Sequence, residues 1–125
     1  MTTQPCTGCV LIVDDEEDTR ELIRDLLEAK GFAVATAEDG QAALNVLASV
    51  PRVCLMILDL LMPNMNGFEV LQRLSADPAH QTVPVWVSTS APDIAPEGIP
   101  CLPKPVDVQQ LVALVHAHCA AEPCG

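Results

Sequence analysis

Aromatic residues are nearly absent, with two Phe, one Trp and no Tyr in 125 residues. The core must therefore be filled by Leu, Val, Ile and Ala, the usual palette of buried parallel strands covered by helices. Basic residues are scarce too, at 6 Lys and Arg against 17 Asp and Glu, for a net charge of −11. That excludes the basic footprint on which direct nucleic-acid binding depends. No apolar run is long enough to span a membrane, and the polar start MTTQPCTG lacks the pattern of a signal peptide. The expectation is a soluble cytoplasmic protein, one domain over residues 1–125 with short tails at about 1–8 and 120–125.

What is present is a regular alternation. Apolar runs at Val10–Asp14, Phe32–Thr36, Val53–Leu58, Val83–Ser88 and Ile99–Leu102 predict five strands. Between them lie helical patterns. Asp18 and Glu21 fit a capping box ahead of Leu22, Ile23, Leu26 and Leu27, with Gly31 as the stop. Asp39-Gly40 opens a second helix with Ala43, Leu44 and Leu47 inward. Asn66 and Glu69 cap a third, running to about Ser75, and Asp107 and Gln110 cap a last one with Leu111, Leu114 and Val115 on its apolar side. Strands alternating with helices imply a doubly wound α/β sheet of parallel strands with right-handed crossovers.

In such a sheet the carboxyl ends of the strands share one rim, where ligands bind. Here the first strand ends at Asp14 and Asp15, the third at Asp59, the fourth at Ser88, Thr89 and Ser90, and the fifth leads to Lys104-Pro105. Three carboxylates at one place repel one another, by several kcal/mol for a pair about 4 Å apart at intermediate dielectric. A divalent cation relieves that cost, and an all-oxygen ligand set favours Mg²⁺. With a metal, a lysine and a hydroxyl around it, Asp59 can act as a nucleophile toward a phosphoryl group.

These residues, in this order, carry a resemblance. From about Cys9 to Cys119 the chain resembles the receiver domain of bacterial two-component response regulators: Asp14-Asp15, Asp59 in DLLMPNMNG, Thr89, and Lys104-Pro105. The resemblance implies a flavodoxin-like sheet of order 2-1-3-4-5, an arrangement also described for a chemotaxis receiver. It implies Asp59 as the site phosphorylated by a histidine kinase or histidine phosphotransfer protein, assisted by Thr89 and Lys104. Mg²⁺ would be bound by Asp15, Asp59 and the backbone carbonyl of Leu61, with Asp14 acting partly through water. It also implies a cis Lys104–Pro105 bond and a signalling module rather than an enzyme with a diffusible product.

Two departures from the family pattern stand out. The segment SAPDIAPEG, where the family has its fourth helix, carries two prolines and a glycine, so that helix is expected to be shortened or missing. The position three before the lysine, usually an aromatic ring in the family, is Cys101. The surface beside the lost helix is expected to bind a downstream protein partner or a second copy of the chain as a homodimer. Two other functions compete: a small Mg²⁺-dependent phosphatase with an Asp nucleophile, disfavoured by Leu61 where a second Asp is wanted, and a degenerate interaction module without phosphate chemistry.

Six cysteines are many for a cytosolic domain of this size. Cys6 and Cys9 form a C-x-x-C ahead of the first strand, not after it as in a thioredoxin-type motif. Cys54 and Cys101 read as small core residues, and mobile tails with free thiols are expected for Cys6, Cys9, Cys119 and Cys124, with a Zn²⁺ or disulfide cluster as the alternative. His80, His116 and His118 read as surface residues.

Overall fold

The computed structural model describes residues 9–50, 52–62 and 64–119. Five parallel strands, β1 (Cys9–Val13), β2 (Val34–Ala37), β3 (Val53–Asp59), β4 (Val85–Thr89) and β5 (Cys101–Pro103), lie in the order β2-β1-β3-β4-β5. Four helices connect or follow them: α1 (Glu17–Ala29), α2 (Gly40–Ser49), α3 (Gly67–Ser75) and α4 (Val108–His118). This is the expected flavodoxin-like architecture.

Alternation along the central strands sorts side chains into two cores. Val10, Ile12, Leu55 and Ile57 face α1 and α4, where Ile23, Leu27, Leu111 and Val115 meet them. Leu11, Val13, Met56 and Leu58 face α2 and α3, against Ala43, Leu47, Val70 and Leu74. With aliphatic side chains on both faces, β3 is buried along its whole length. Asp59 closes a strand whose other residues are all apolar.

Three helix starts follow the expected chemistry. Asp39, Asn66 and Asp107 each accept a hydrogen bond from the backbone N–H three residues on, at Ala42, Glu69 and Gln110. Gly31 leaves α1 at φ 94°, a left-handed conformation that glycine adopts without steric cost. The α1 start differs. Glu16 is the N-cap, so Asp18 lies inside the first turn and the expected capping box with Glu21 does not form. The Asp14 carboxylate accepts the Glu16 N–H at 2.8 Å and so begins the helix two residues early.

Between β4 and β5 there is one 3-10 turn, Pro92–Ile94, and no α-helix. Val85 on β4 and Cys101 on the edge strand β5 are half-exposed, and Ile94 is exposed. The Lys104–Pro105 peptide is cis.

The cysteine and histidine expectations need correction. Cys54 is a core residue as expected but is oxidised, and Cys119 does not lie in a mobile tail: the two form a disulfide, with Cα atoms 5.5 Å apart. The register explains how they meet. Cys9 pairs with Val53 and Val10 with Leu55, so Cys54 is an extra residue in β3 and turns onto the α4 face beside Leu55. That bond takes Cys119 out of any four-thiol zinc site; Cys6 and Cys124 lie outside the described residues. His80 is not a plain surface residue either, being half-buried and bonded to the Asp77 carboxylate at 2.8 Å and the Leu47 carbonyl at 3.1 Å. His116 and His118 are exposed as expected, the His116 ring edge-on to Phe32.

Candidate functional site

Asp14, Asp15 and Asp59 converge at the rim, each offering a carboxylate oxygen within 4.8 Å of the others. Asp14 and Asp59 are buried, at 5% and 4% exposure, whereas Asp15 faces solvent. Two buried carboxylates at this distance need a counter-charge. Lys104 supplies it: its Nζ lies 3.0 Å from Asp14 Oδ2 and 3.1 Å from Asp59 Oδ2. The second Asp59 oxygen, Oδ1, accepts the Leu61 N–H at 3.2 Å.

Burial pushes the Asp59 carboxyl upward from its ordinary pKa; Lys104 pulls it back, and Asp14 adds to the rise. For Lys104 burial acts downward, but hydrogen bonds and attraction from Asp14 and Asp59 outweigh it, so its pKa is raised. The lysine stays charged, and the acids around it are held close by a cation that can be drawn to a stronger anion.

Thr89 sits at the end of β4, one residue beyond Ser88, which pairs in register with Asp59. It is buried, and its Oγ1 accepts the Ala91 N–H at 3.0 Å, which leaves the hydroxyl proton free to donate. Its carbonyl accepts the Lys104 N–H at 2.9 Å, tying the hydroxyl and the lysine to the same turn. Leu61 contributes backbone only, since its side chain is 55% exposed.

Residues 10–116 match the response regulator receiver domain family. The chain belongs to that family. It is 34% identical to an uncharacterised 14.6 kDa protein of Leptolyngbya boryana over 91% of this chain and 92% of that one. It is 33% identical to the transcriptional regulatory protein CpxR of Escherichia coli K12 over 86% of this chain, and spans about half of that protein, 47%. Among solved structures, the receiver domain of the hybrid histidine kinase CckA is 31% identical with a TM-score of 0.75, covering 89% of this chain and 98% of that one. A response regulator receiver protein from Pseudomonas putida is 27% identical with a TM-score of 0.80, covering 91% and 99%.

Asp14, Asp15, Asp59, Leu61, Thr89 and Lys104, singled out from the sequence, are brought together at this rim. Sequence reading missed its supports. Arg20 Nη1 donates to the Asp14 carbonyl at 2.7 Å and fixes the acidic turn. Asn64, at φ 65°, reaches from the loop after β3 to the Asp39 carboxylate at 3.1 Å. An arginine six residues after Asp14, one turn into the following helix, was a usable signal for the first contact; the second joins segments 25 residues apart and leaves none.

Proposed function

We propose that the chain is a stand-alone phosphoacceptor, a cytoplasmic single-domain response regulator that takes a phosphoryl group on Asp59 from a histidine kinase or histidine phosphotransfer protein. The observation that carries this is the buried Asp59 carboxylate, held between the Lys104 ammonium and the Leu61 N–H with two further acids beside it. The donor set is all oxygen and anionic, which fits Mg²⁺. Asp14, Asp15, Asp59 and the Leu61 carbonyl would hold it, and when bound it would offset charge on the phosphoryl oxygens.

The chain's own groups divide the remaining work. The Asp59 carboxylate attacks phosphorus; the bond from phosphorus to the donor breaks and its electron pair leaves with the donor, giving an acyl phosphate on Asp59. Lys104 is already within hydrogen-bond reach of the attacking carboxylate, so a small swing brings its ammonium to a phosphoryl oxygen. The Thr89 hydroxyl donates to another. The group that accumulates is the modified protein itself, which makes the chain a signalling module.

A protein donor is supported by the rim's apolar flanks. Leu22 (59% exposed) and Val108 (40%) border a cleft of about 430 Å³ that also includes Lys104 and Pro105. Exposed apolar residues around a polar site mark protein contacts. The test is incubation with acetyl phosphate and Mg²⁺ followed by intact-mass measurement. A gain of one phosphoryl group, lost on hydroxylamine treatment, is expected; no gain, or a hydroxylamine-stable one, contradicts the proposal.

A further inference from the structure

The disulfide and the phosphoacceptor lie at opposite ends of the same two elements. Cys54 is near the start of β3 and Asp59 is its last residue; Lys104 precedes α4 and Cys119 caps its far end. The Cys54–Cys119 bond at one pole and the Lys104–Asp59 ion pair at the other therefore close a ring made of β3 and α4. Between these attachments α4 is held by Leu111 and Val115, its buried residues.

Both cysteines are buried, at 4% and 2% exposure, but Cys54 borders a surface cleft. Cys54 forms part of the wall of a cleft of about 660 Å³, together with Leu47, Val53, His80, Thr82 and His118. That volume lies within the range of small-molecule sites, about 300–1,000 Å³. Cys119 sits at a helix end, where local opening costs least.

We propose that Cys54 and Cys119 form a reversible redox site, exchanged with a small thiol of the glutathione class admitted through this cleft, and that the oxidised form holds Lys104 over Asp59. The second half rests on the reading of Asp59 as phosphoacceptor. In reduction, the thiolate of a first small thiol attacks Cys54 Sγ; the Cys54–Cys119 bond breaks and the Cys119 thiolate leaves and takes a proton. A second small thiol attacks the mixed disulfide, releasing Cys54 as a thiol and a small-molecule disulfide. The protein gains two electrons and two protons and the small thiols lose them; oxidation by the small-molecule disulfide is the reverse. In a reducing compartment a disulfide of this kind is transient and regulatory rather than permanent. Reduction frees the last turn of α4, and with it one of the constraints that set the lysine's height above the site.

The experiment equilibrates the full chain in glutathione buffers from reduced to oxidised, alkylates free thiols and maps proteolytic peptides. Oxidised samples should contain a linked Cys54–Cys119 peptide. Their melting midpoint should exceed that of reduced samples by roughly 10–20 °C, as expected for cross-linking across 65 residues. Their phosphorylation by acetyl phosphate with Mg²⁺ should be faster by roughly threefold or more. Cys119→Ser should accept phosphate at the slower rate in every buffer. Absence of the linked peptide in all buffers overturns the proposal, as does a linked peptide with equal phosphorylation rates in oxidised and reduced protein. A linked peptide and a melting shift in a chain that never accepts phosphate would uphold the redox site and count instead against Asp59 as the phosphoacceptor.

Discussion

Gly67 lies against the backbone of Asp59 so closely that a Cβ on it would stand 2.5 Å from the Asp59 carbonyl oxygen and 2.8 Å from Leu60 Cα. Its N–H donates to the Leu60 carbonyl at 3.0 Å. The first turn of α3 is thus seated directly on the strand end that presents the nucleophile. Gly67→Ala should displace that turn and destabilise the protein by about 1–3 kcal/mol, the usual cost of overpacking. Urea unfolding measures it, and an unchanged midpoint would show that the contact yields without cost.

Lys104 answers two buried carboxylates, so its removal leaves both unpaired. Lys104→Met should destabilise the metal-free protein by about 1–3 kcal/mol, less than a fully buried pair because the lysine is 25% exposed. Mg²⁺ should restore more stability to this variant than to the wild type. Melting with and without Mg²⁺ checks both points; equal metal response in the two proteins would contradict the reading.

Asp59→Asn has the opposite sign. Burial raises the Asp59 carboxyl, so the folded state favours its protonated form and the charge it carries at neutral pH opposes folding. Without Mg²⁺ the asparagine variant should be the more stable at pH 7. The gain should vanish as pH falls below the ordinary carboxylate range near 4, where wild-type Asp59 is protonated as well. Urea midpoints across pH 3–7 test this, and a variant less stable than wild type at pH 7 would refute it.

Asp39 shows the normal carboxylate case. The Ala42 N–H and then the Asn64 amide hold its carboxyl below the usual range. Its contribution is present above pH about 4 and lost as pH falls through the depressed value. Asp39→Ala should lower stability at neutral pH, with the difference from wild type shrinking in acid. A difference that grows toward low pH would contradict the cap.

The rim was legible because buried strands that end in acids, a hydroxyl and a lysine break the apolar pattern at the points where parallel strands align. The helix starts at Asp39, Asn66 and Asp107 were legible because capping is a three-residue contact. The α1 start was misplaced because the group that begins it, the Asp14 carboxylate, belongs to the strand end and to the acidic cluster at the rim at once. The Cys54–Cys119 bond left no local trace. It depends on one extra residue in β3 and on a helix 65 residues away, and both follow from tertiary register. Nothing in the sequence marks Gly67 as the position whose bare Cα lets α3 approach Asp59. The absence of the fourth helix was legible from its prolines, since proline acts locally.

The site of phosphoryl transfer is the central claim, and one chemical measurement addresses it directly. After phosphorylation by acetyl phosphate and Mg²⁺, borohydride reduces an aspartyl phosphate to homoserine, and peptide sequencing by mass spectrometry locates the converted residue. The account predicts homoserine at position 59, and none in Asp59→Asn treated alike. Homoserine at Asp14 or Asp15, or none anywhere in phosphate-treated wild type, would contradict it.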